Sequence, residues 1–484
     1  MRVPVPEAIW PCEELGRVHF VGIGGAALSG LARIMVGRGV TVTGSDAKDS
    51  VLLDGLRTLG ISCWVGHRAS HVDDADTVVV STAIKEDNPE VVRAIERGLR
   101  VWPRSAAVQS VLLGRIAIVV TGTHGKTTTT SMLATALLAC GADPSYAIGS
   151  TLNASGLNAA AGSGDLFVAE GDESDGAILT YTPWGAVVTN VDSDHLDHYG
   201  TVEAYAAVFD EFVTRIEPGG FLVCCVDDPG AARLADLAER HGVEVTRVGQ
   251  SDGVDFRARA LAFSGETSTY EVVEDDRLLG TVSLQVPGVN YVVDSLAALV
   301  AGLRLGFGFD ELAVGLASFR GSARRMEFKG AAGAVRVYDS YAHHPAEIAG
   351  DLQAARAVAG HEHLLVCFQP HLYSRTRIFG TAMGEALSAA DAVVVMDVYA
   401  ARETPEPGIS GQVVASAVDL DADDVHYEPH WDAVPELISR MVVDSDVPTT
   451  VVTMGAGDVT EIGPQVLALV QLAVERGRSD GSAI

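Results

Sequence analysis

A short glycine-rich turn with one lysine is the part of the chain whose residues most directly indicate chemistry. Residues 119–138 read VVTGTHGKTTTTSMLATALL, with Gly122, Gly125, Lys126 and Thr127 between an apolar strand and a helix. Glycines let the backbone curl so that successive N–H groups point inward, and the following helix adds its positive end. Lys126 can reach the outer phosphates of a nucleotide, and the Thr127 hydroxyl can ligate Mg²⁺. The stretch therefore predicts a nucleoside triphosphate site.

Acidic side chains follow two strands that could flank this turn. The stretch DLFVAE delivers Glu170, and GAVVTNVDSDH delivers Asp192, Asp194 and His195. The carboxyl ends of parallel strands meet at one edge of a sheet, so Glu170 and His195 would arrive beside Thr127 if the strands are neighbours. Hard oxygen ligands with one imidazole suit Mg²⁺ or Mn²⁺ between phosphates. The alternatives are a solvated acidic loop and, for Asp194, a helix cap.

A second glycine-rich turn lies near the start of the chain. VGIGGAALSG carries Gly22, Gly24 and Ala27 in the spacing G-x-G-x-x-A, and Asp46 ends the next strand, where a ribose-binding acid would lie. This pattern predicts a bound nucleoside diphosphate group. It leaves open whether the ligand is NAD(P) or a UDP-sugar, and a purely structural tight turn is the other interpretation.

Basic and imidazole side chains cluster in the last third of the chain. They occur in three stretches, GSARRMEF with Arg324 and Arg325, YDSYAHHPAE with Asp339, His343 and His344, and FQPHLYSRTR with His371, Arg375 and Arg377. The last two stretches follow predicted strands, and such groups at strand ends can bind a carboxylate in a bidentate fork. The alternatives are structural histidines and a linker salt bridge. Asn290 and Asp294, at the start of a predicted helix, could cap it or touch a nucleotide.

Strand-like runs and amphipathic helices alternate along all 484 residues, which predicts α/β architecture with mostly parallel sheets. A prior of about 150 residues per domain suggests three domains. We expect an N-terminal Rossmann-like domain, a central P-loop ATPase-like α/β domain and a C-terminal Rossmann-like domain, over residues 1–112, 113–322 and 323–484. Residues 250–287 read as short antiparallel strands inside the central domain.

Composition excludes several classes of partner. The net charge of −30 disfavours binding to nucleic acid or to an anionic membrane surface. The six cysteines have no CxxC spacing, which favours reduced thiols over a disulfide frame or a zinc site. The first residues lack the apolar segment of a signal peptide, and no long apolar window escapes a charge. We therefore expect a cytoplasmic protein, either a monomer or a homodimer.

The chain resembles the bacterial Mur ligases over essentially its whole length. The motifs that carry the resemblance occur in the family's order, among them GIGGAALSGLA, TGTHGKTTTT, EGDESD, NVDSDHLDHYG, SARRMEF, DSYAHHPAE and FQPHLYSRT. The resemblance implies an ATP-dependent amide ligation in peptidoglycan precursor synthesis. Within the family, the GIGGxxxSG start with HHPxE and FQPHxYxRT points to UDP-N-acetylmuramate, L-alanine and ATP as substrates, with Mg²⁺ or Mn²⁺ as metal and an acyl phosphate as intermediate.

The same resemblance assigns roles to individual residues. It implies a catalytic set of Lys126, Glu170, His195, Arg325 and Asp339, with the metal at Thr127, Glu170 and His195. It implies ATP contacts at Gly122, Thr123, His124, Gly125, Lys126, Thr127, Thr128 and Asn290. It implies contacts to the UDP substrate at Gly22, Gly24, Gly25, Ser29, Ser45 and Asp46, and contacts to the amino acid at His343, His344, His371 and Arg375.

Several positions depart from the family's usual motifs, including DSYA where the family has DDYG, which leaves Asp339 as the only matching acid there. Asn290 stands where a histidine is common, Asp294 where an asparagine is usual, and Leu372 where an arginine often follows FQPH. No lysine occurs in the stretch DSDHLDHYGTVEAYAAVFDEF, which favours the alanine-adding reaction over the later additions. Three alternatives remain: a recycling ligase that uses a ready-made tripeptide, an NAD-dependent oxidoreductase using the first turn, and a non-catalytic nucleotide switch.

Overall fold

The computed structural model describes residues 3–443, 445 and 447–481, and the side chains of these residues except at 197 and 477–481. The chain divides into two compact units. The first comprises Met1–Arg259, Glu271–Val282 and Val293–Phe319, and the second comprises Ala260–Tyr270, Ser283–Val292 and Arg320–Ile484. Strands and helices alternate in both units, so the predicted α/β class is confirmed.

The first unit begins with a five-stranded parallel sheet in the order β3-β2-β1-β4-β5. Its strands are β1 (Val18–Val21), β2 (Val42–Asp46), β3 (Ser62–Val65), β4 (Thr77–Val80) and β5 (Arg100–Pro103), and its helices are α1 (Ala26–Gly37), α2 (Val51–Thr58), α3 (Pro89–Glu96) and α4 (Arg104–Leu112). The central strands β1 and β4 are buried along their whole length, as expected for apolar runs covered on both faces. The Asn88 side chain caps α3, and Pro89 opens the helix.

The second sheet has ten strands in the order β15-β14-β13-β12-β11-β10-β6-β9-β7-β8. The strands are β6 (Ile116–Thr121), β7 (Ser145–Ala147), β8 (Ala159–Ala160), β9 (Leu166–Glu170), β10 (Gly185–Val188), β11 (Phe221–Cys225), β12 (Glu244–Gly249), β13 (Phe256–Ser264), β14 (Thr267–Glu274) and β15 (Arg277–Leu284). The helices are α5 (Lys126–Ala139), α6 (Leu196–Tyr199), α7 (Val202–Val213), α8 (Pro229–Arg240), α9 (Val289–Arg304) and α10 (Phe309–Ala317). Strand β6 pairs in parallel with β10 on one side and β9 on the other.

The third sheet has six strands in the order β16-β17-β21-β18-β19-β20, parallel except for the β16–β17 pair. The strands are β16 (Glu327–Ala332), β17 (Val335–Ser340), β18 (His363–Phe368), β19 (Ala392–Met396), β20 (Val425–Glu428) and β21 (Thr449–Met454). The helices are α11 (Pro345–Ala359), α12 (Tyr373–Leu387), α13 (Gly411–Ala415), α14 (Val434–Val443) and α15 (Ile462–Gly481).

Apolar packing explains why the first two sheets belong to one unit. A single buried cluster includes Phe20 and Leu31 near the first sheet and Phe167 and Val188 in the second. The third sheet has a separate apolar cluster on each face, one containing Phe368 and the other Val451. Because burial of apolar area drives compaction, a shared core holds residues on both sides of position 113 together.

Among the residues that the structure describes, no helix combines the length and the apolar character needed to cross a bilayer.

Candidate active site

The lysine-containing turn connects β6 to α5, between the carboxyl ends of β9 and β10. Val120 of β6 lies opposite Glu170 of β9, and Thr121 lies opposite Val188 of β10. The neighbouring strands required for the metal prediction are therefore present. Gly122 has φ 137°, and a Cβ there would lie 2.1 Å from the Thr189 hydroxyl oxygen. The turn consequently requires glycine at this position, both for its backbone angle and for space.

Asn190 holds the turn through its backbone and its side chain. The backbone N–H of Thr123 donates to the Asn190 carbonyl at 3.1 Å, and the N–H of His124 donates to Asn190 Oδ1 at 2.8 Å. Asn190 Nδ2 donates in turn to the His124 carbonyl at 3.1 Å. Asn190 opens the motif NVDSDHLDHYG, and the sequence analysis gave it no role of its own. Its position two residues after β10, which pairs with β6, is a further signal that could have found it.

The Lys126 ammonium is folded back onto its own loop. Its Nζ atom donates to the carbonyl oxygens of Gly122 and Thr123 at 2.6 and 2.9 Å, and to Glu173 Oε1 at 3.0 Å. Burial alone would lower the pKa of Lys126, but Glu173 and Glu170 outweigh burial and hold the pKa above its ordinary value. Lys126 is therefore a positive charge at the start of α5, where the helix also offers N–H groups to an anion.

Glu173 is a fully buried carboxylate that joins several side chains of this region. It contacts Lys126, accepts a hydrogen bond from the Tyr205 hydroxyl at 3.2 Å and lies 3.5 Å from His195 Nε2. Tyr205 also lies 3.0 Å from the Thr123 hydroxyl. Burial and the Glu173 charge raise the pKa of Tyr205, so its hydroxyl keeps its proton as a donor. Sequence reasoning placed Glu173 in an acidic run without giving it a role.

Glu170 and Thr127 meet beside this cluster. The Thr127 hydroxyl donates to Glu170 Oε1 at 2.9 Å, and the N–H of Gly149 donates to Glu170 Oε2 at 2.6 Å. A hydroxyl and a carboxylate are hard oxygen ligands of the kind that Mg²⁺ binds, so this pair fits the predicted metal. His195 has a left-handed backbone, with φ 52°, and its Nε2 atom lies 3.6 Å from Asp194 Oδ2 as well as near Glu173.

The two departures in α9 lie in different units. Asp294 belongs to the first unit and lies against the turn, because a Cβ placed on Gly125 would come within 2.5 Å of its carboxylate. Asn290 belongs to the second unit, where a Cβ placed on Gly350 of α11 would come within 2.0 Å of its amide nitrogen. The ATP contact assigned to Asn290 remains a prediction.

The first glycine-rich turn is folded on the end of β2. The N–H of Gly22 donates to the Ser45 carbonyl at 2.8 Å, and the N–H of Gly24 donates to Asp46 Oδ2 at 2.9 Å. Gly25 then precedes α1, whose first N–H groups have no partner within the helix. This geometry suits the predicted diphosphate, with Asp46 holding the turn through one of its oxygens.

Two hydroxyls assigned to the UDP substrate have hydrogen-bond partners inside the protein. The Ser29 hydroxyl donates to the Ala26 carbonyl at 2.9 Å, and the Ser45 hydroxyl is fully buried and donates to Glu90 Oε2 at 2.5 Å. In this structure both side chains support the turn, and their contacts with the UDP substrate remain predictions.

Asp339 is likewise a support in this structure. It is fully buried, and its two oxygens accept hydrogen bonds from Thr453 at 2.8 Å, from Thr460 at 2.6 Å and from Arg324 Nε at 3.2 Å. A carboxylate bonded in this way holds Arg324 in place, and the assignment of Asp339 as a catalytic group remains a prediction. The guanidinium groups of Arg324 and Arg325 lie over the Tyr341 ring, 4.9 and 5.3 Å from its centroid.

The second unit brings three of the predicted amino-acid contacts together. The rings of His343 and His371 lie 6.0 Å apart, and Arg375 Nη1 lies 3.4 Å from His371 Nδ1. Burial, with His343 and Arg375 nearby, lowers the pKa of His371 to about 3, so this imidazole is neutral and can accept from Arg375. The cluster therefore presents one permanent positive charge, suited to a carboxylate.

His344 lies at the start of a helix. It directly precedes α11, its N–H donates to Glu347 Oε2 at 3.3 Å, and its ring packs 4.9 Å from the Phe379 ring. It is 5 % exposed. These contacts support the helix start, and the contact of His344 with the amino acid remains a prediction. Leu372, at the start of α12, is buried with φ 69°, in a backbone conformation uncommon for a branched side chain.

Comparison with family models gives three matches that together span most of the chain. Residues 17–115 match the model described as Mur ligase family, catalytic domain, residues 120–302 match the Mur ligase middle domain, and residues 324–457 match the Mur ligase, glutamate ligase domain.

Curated relatives and solved structures give the same answer. The chain is 59 % identical over 471 residues to the UDP-N-acetylmuramate–L-alanine ligase of Nocardioides sp. strain JS614, covering 97 % of the chain and 100 % of the relative. It is 52 % identical to the enzyme of the same name from Saccharopolyspora erythraea, covering 94 % of each. The crystal structure of the UDP-N-acetylmuramate-alanine ligase of Thermotoga maritima matches with a TM-score of 0.76 and 27 % identity, covering 96 % of the chain and 99 % of that structure. As the motifs predicted, the chain belongs to the Mur ligase family.

Proposed function

We propose that this protein joins L-alanine to UDP-N-acetylmuramate in an ATP-dependent reaction that forms the first amide of the peptidoglycan stem peptide. The observation that supports this proposal most directly is the meeting of Lys126, Thr127, Glu170 and Glu173 at the carboxyl ends of β6 and β9. Relatives that carry the alanine ligase name at 59 and 52 % identity support the choice of substrates.

The chemistry requires two anions to approach each other. In the proposed reaction, a carboxylate oxygen of UDP-N-acetylmuramate attacks the γ-phosphorus of ATP, giving an acyl phosphate and ADP. The amine of L-alanine then attacks the acyl carbon, phosphate leaves and the amine loses a proton. Phosphoryl transfer depends mainly on positioning and on neutralising charge. Lys126 supplies one positive charge at the start of α5, and Gly122–Thr128 supply backbone N–H groups.

A divalent cation would supply the remaining neutralisation. We propose that Thr127 and Glu170 hold Mg²⁺ or Mn²⁺, since their oxygens already lie 2.9 Å apart. His195 remains the third proposed ligand. When bound, the cation polarises phosphate oxygens and shields the incoming carboxylate.

We propose a division of substrates along the chain. Residues 1–112 would hold the UDP moiety at Gly22–Gly25, residues 113–322 would hold ATP, and residues 323–484 would hold L-alanine. The positive charge of Arg375 beside His343 and the neutral His371 suits the carboxylate of an amino acid. Arg325 remains a proposed stabiliser of phosphate charge.

The test is phosphate release by the purified protein with ATP, Mg²⁺ and UDP-N-acetylmuramate, with L-alanine, glycine, L-serine or the tripeptide added separately. We expect the fastest turnover with L-alanine. Phosphate release with the tripeptide and with none of the single amino acids would instead identify a recycling ligase. If none of the added amines supports phosphate release, the proposal is contradicted. Glycine and L-serine serve as close competitors because one methyl group in an apolar pocket discriminates by only about 1–3 kcal/mol.

The Lys126→Ala variant tests the role of the loop. We expect it to lower kcat/KM by about 10³-fold or more, because the positive charge opposite the transferred phosphoryl group is lost. The Lys329→Ala variant is the matched control, since Lys329 contacts Glu327 in β16 and has no proposed role in binding. Equal activity of the Lys126→Ala variant and the wild type would contradict the proposed ATP site.

A further inference from the structure

A buried carboxylate outside the proposed catalytic residues connects the elements behind the first glycine-rich turn. Glu90 is the second residue of α3, and it is fully buried. Its Oε2 atom accepts a hydrogen bond from the Ser45 hydroxyl at 2.5 Å and lies 3.1 Å from His67 Nδ1. Its Oε1 atom lies 2.6 Å from His71 Nδ1 and accepts from the N–H of Arg68 at 3.2 Å.

Further polar and aromatic groups complete this environment. His19 of β1 is fully buried, and its Nε2 atom lies 3.7 Å from Glu90 Oε2. The His71 ring stacks on Trp64, 4.5 Å between centroids. Burial of Glu90 would raise its pKa, but nearby His19 and the hydrogen bonds from Ser45 and His71 hold that pKa at about 2. Glu90 is therefore an ionised carboxylate surrounded by polar groups of β1, of β2 and of residues 67–71.

Burying a charge is costly unless every partner is in place, so this carboxylate constrains geometry strongly. The partner that matters here is Ser45, whose hydroxyl binds Glu90 and whose carbonyl oxygen accepts from the N–H groups of Gly22 and Ile23 at 2.8 and 3.0 Å. The next residue, Asp46, accepts from the N–H of Gly24. The position of the Gly22–Gly25 turn thus depends on the end of β2, and the end of β2 is held by Glu90.

We propose that Glu90 is a positioning residue for the UDP-sugar: through Ser45 it sets the end of β2 on which the diphosphate-binding turn is folded. This inference rests on the proposed function, because it assumes that Gly22–Gly25 hold the diphosphate. Glu90 itself does not touch the ligand. Its removal should weaken one substrate selectively, since ATP binds to a different turn.

Glu90→Gln keeps the volume of the side chain and removes the charge. The N–H of Arg68 can only donate, so the amide oxygen of the variant must face Arg68 and the NH₂ group must face Ser45. The Ser45 hydroxyl, which also lies 2.9 Å from His67 Nδ1, would then accept from residue 90 instead of donating to it. The loss of the charged acceptor loosens the end of β2. We expect KM and the dissociation constant for UDP-N-acetylmuramate to rise about tenfold, the size expected for losing one charge-assisted hydrogen bond.

Two more variants separate positioning from general stability. Ser45→Ala leaves the carboxylate charged and removes the connecting hydroxyl, and we expect about a threefold rise in the same KM, as for a weaker hydrogen bond. Asp73→Asn is the control, because it removes an exposed carboxylate that forms salt bridges with the Arg93 and Arg97 side chains and lies outside the Glu90 environment. It should leave both KM values unchanged.

The experiment measures KM for UDP-N-acetylmuramate, KM for ATP, kcat and thermal unfolding for each variant, with calorimetric binding of UDP-N-acetylmuramate in the absence of ATP. A selective rise in KM and in the dissociation constant for the UDP-sugar supports the inference. Unchanged values, or an equal rise in KM for ATP, overturn it. If Glu90→Gln does not fold, Ser45→Ala decides by the same criterion. If the wild type binds the UDP-sugar without turning over L-alanine, the proposed function fails while the binding comparison still judges Glu90.

Discussion

Glu170 and Glu173 lie three residues apart in the chain and have different partners. Glu170 contacts the Thr127 hydroxyl and the N–H of Gly149, so it is available to a cation at the phosphate loop. Glu173 contacts Lys126 and His195 from a fully buried position. One acid thus fits a metal ligand, and the other orients the positive charge that the phosphates require.

Replacing Glu173 by Gln should impair turnover more than folding. The variant keeps a hydrogen-bond acceptor for Tyr205 and removes the negative charge beside Lys126 and His195. We expect kcat to fall by about 10–100-fold, the range typical of lost electrostatic positioning, with a cooperative unfolding transition retained. Steady-state phosphate release and thermal unfolding measure the two effects.

Asp175→Asn is the matched control for this prediction. Asp175 lies in the same acidic loop, is exposed and accepts from the N–H of Ala177. The Asp175→Asn variant loses one negative charge, as Glu173→Gln does, at a position two residues from Glu173. Its kcat should stay within about twofold of the wild type, as for most exposed substitutions. Equal losses of kcat in both variants would mean that kcat depends on the net charge of the loop and not on the buried contact of Glu173.

His371 should make stability depend on pH. Its folded pKa of about 3 lies below the ordinary value of 6.5, so the unfolded chain binds a proton that the folded chain excludes. Its contribution is fully present above pH 6.5 and is lost as the pH falls toward 3. Between pH 7 and pH 5 this amounts to about 2 kcal/mol in the free energy of unfolding.

The measurement is urea unfolding of the wild type and of His371→Gln at pH 7 and pH 5. The variant should lose less stability over this interval than the wild type, because it has no proton to take up on unfolding. His241→Gln is the control, since His241 is exposed at the end of α8. Parallel losses in the wild type and in His371→Gln would contradict the assigned pKa shift.

At the scale of elements, the turn between β6 and α5 is the unit that the sequence predicts best. Apolar strand, glycine turn, lysine and helix follow one another along the chain, so a local pattern carries the information. The contacts of Asn190 and Glu173 could not be predicted in the same way. They come from neighbouring strands, and which strands are neighbours is decided by packing of the whole sheet.

Gly122→Ala should therefore disrupt the turn. The new Cβ would meet the Thr189 hydroxyl oxygen, and φ 137° is unfavourable for any residue with a side chain. We expect the free energy of unfolding to fall by about 2–3 kcal/mol and ATP-dependent turnover to be lost.

Gly141→Ala, at the other end of α5, separates the two causes. Gly141 has φ 76°, and nothing lies within 4 Å of a Cβ placed there. Only the backbone cost of about 1 kcal/mol should remain, with turnover retained. Urea unfolding and phosphate release on both variants provide the comparison, and equal destabilisation would show that the close approach to Thr189 is unimportant.

At the scale of the whole molecule, the motifs divide the chain at different positions from the boundaries of its two compact units. The motifs divide the chain near 113 and 322, and the first two blocks share one apolar core. The chain passes between the two units after residues 259, 270, 282, 292 and 319. A local pattern cannot predict these passages, because the excursions into the second unit contain the end of β13 with the start of β14 and the end of β15 with the start of α9.

The C-terminal block should consequently be less stable alone than in the intact chain. A fragment of residues 320–484 lacks Ala260–Tyr270 and Ser283–Val292, and with them the 2.5 Å bond from the Tyr338 hydroxyl to Glu266 and the packing of Gly288 on Ala354. We expect faster amide hydrogen exchange in β17, β18 and β21 of the fragment, since exchange reports local opening.

A fragment of residues 283–484 serves as the partner experiment. It restores Ser283–Val292 and leaves the Glu266 bond missing, so its protection should be intermediate between that of the shorter fragment and the intact chain. Identical protection in all three would show that the two excursions contribute nothing to the stability of the second unit.

The five passages also limit how this chain can be recombined with its relatives. A gene crossover at codon 322 would take residues 323–484 from one parent and residues 260–270 and 283–292 from the other. Tyr338 would then contact a residue of the other parent at position 266. A crossover at codon 113 would join two halves of one apolar core with unmatched side-chain volumes. Chimeras that exchange residues 260–270 and 283–292 together with the third block would keep the parental contacts within the second unit, and they are the exchanges that a library should retain.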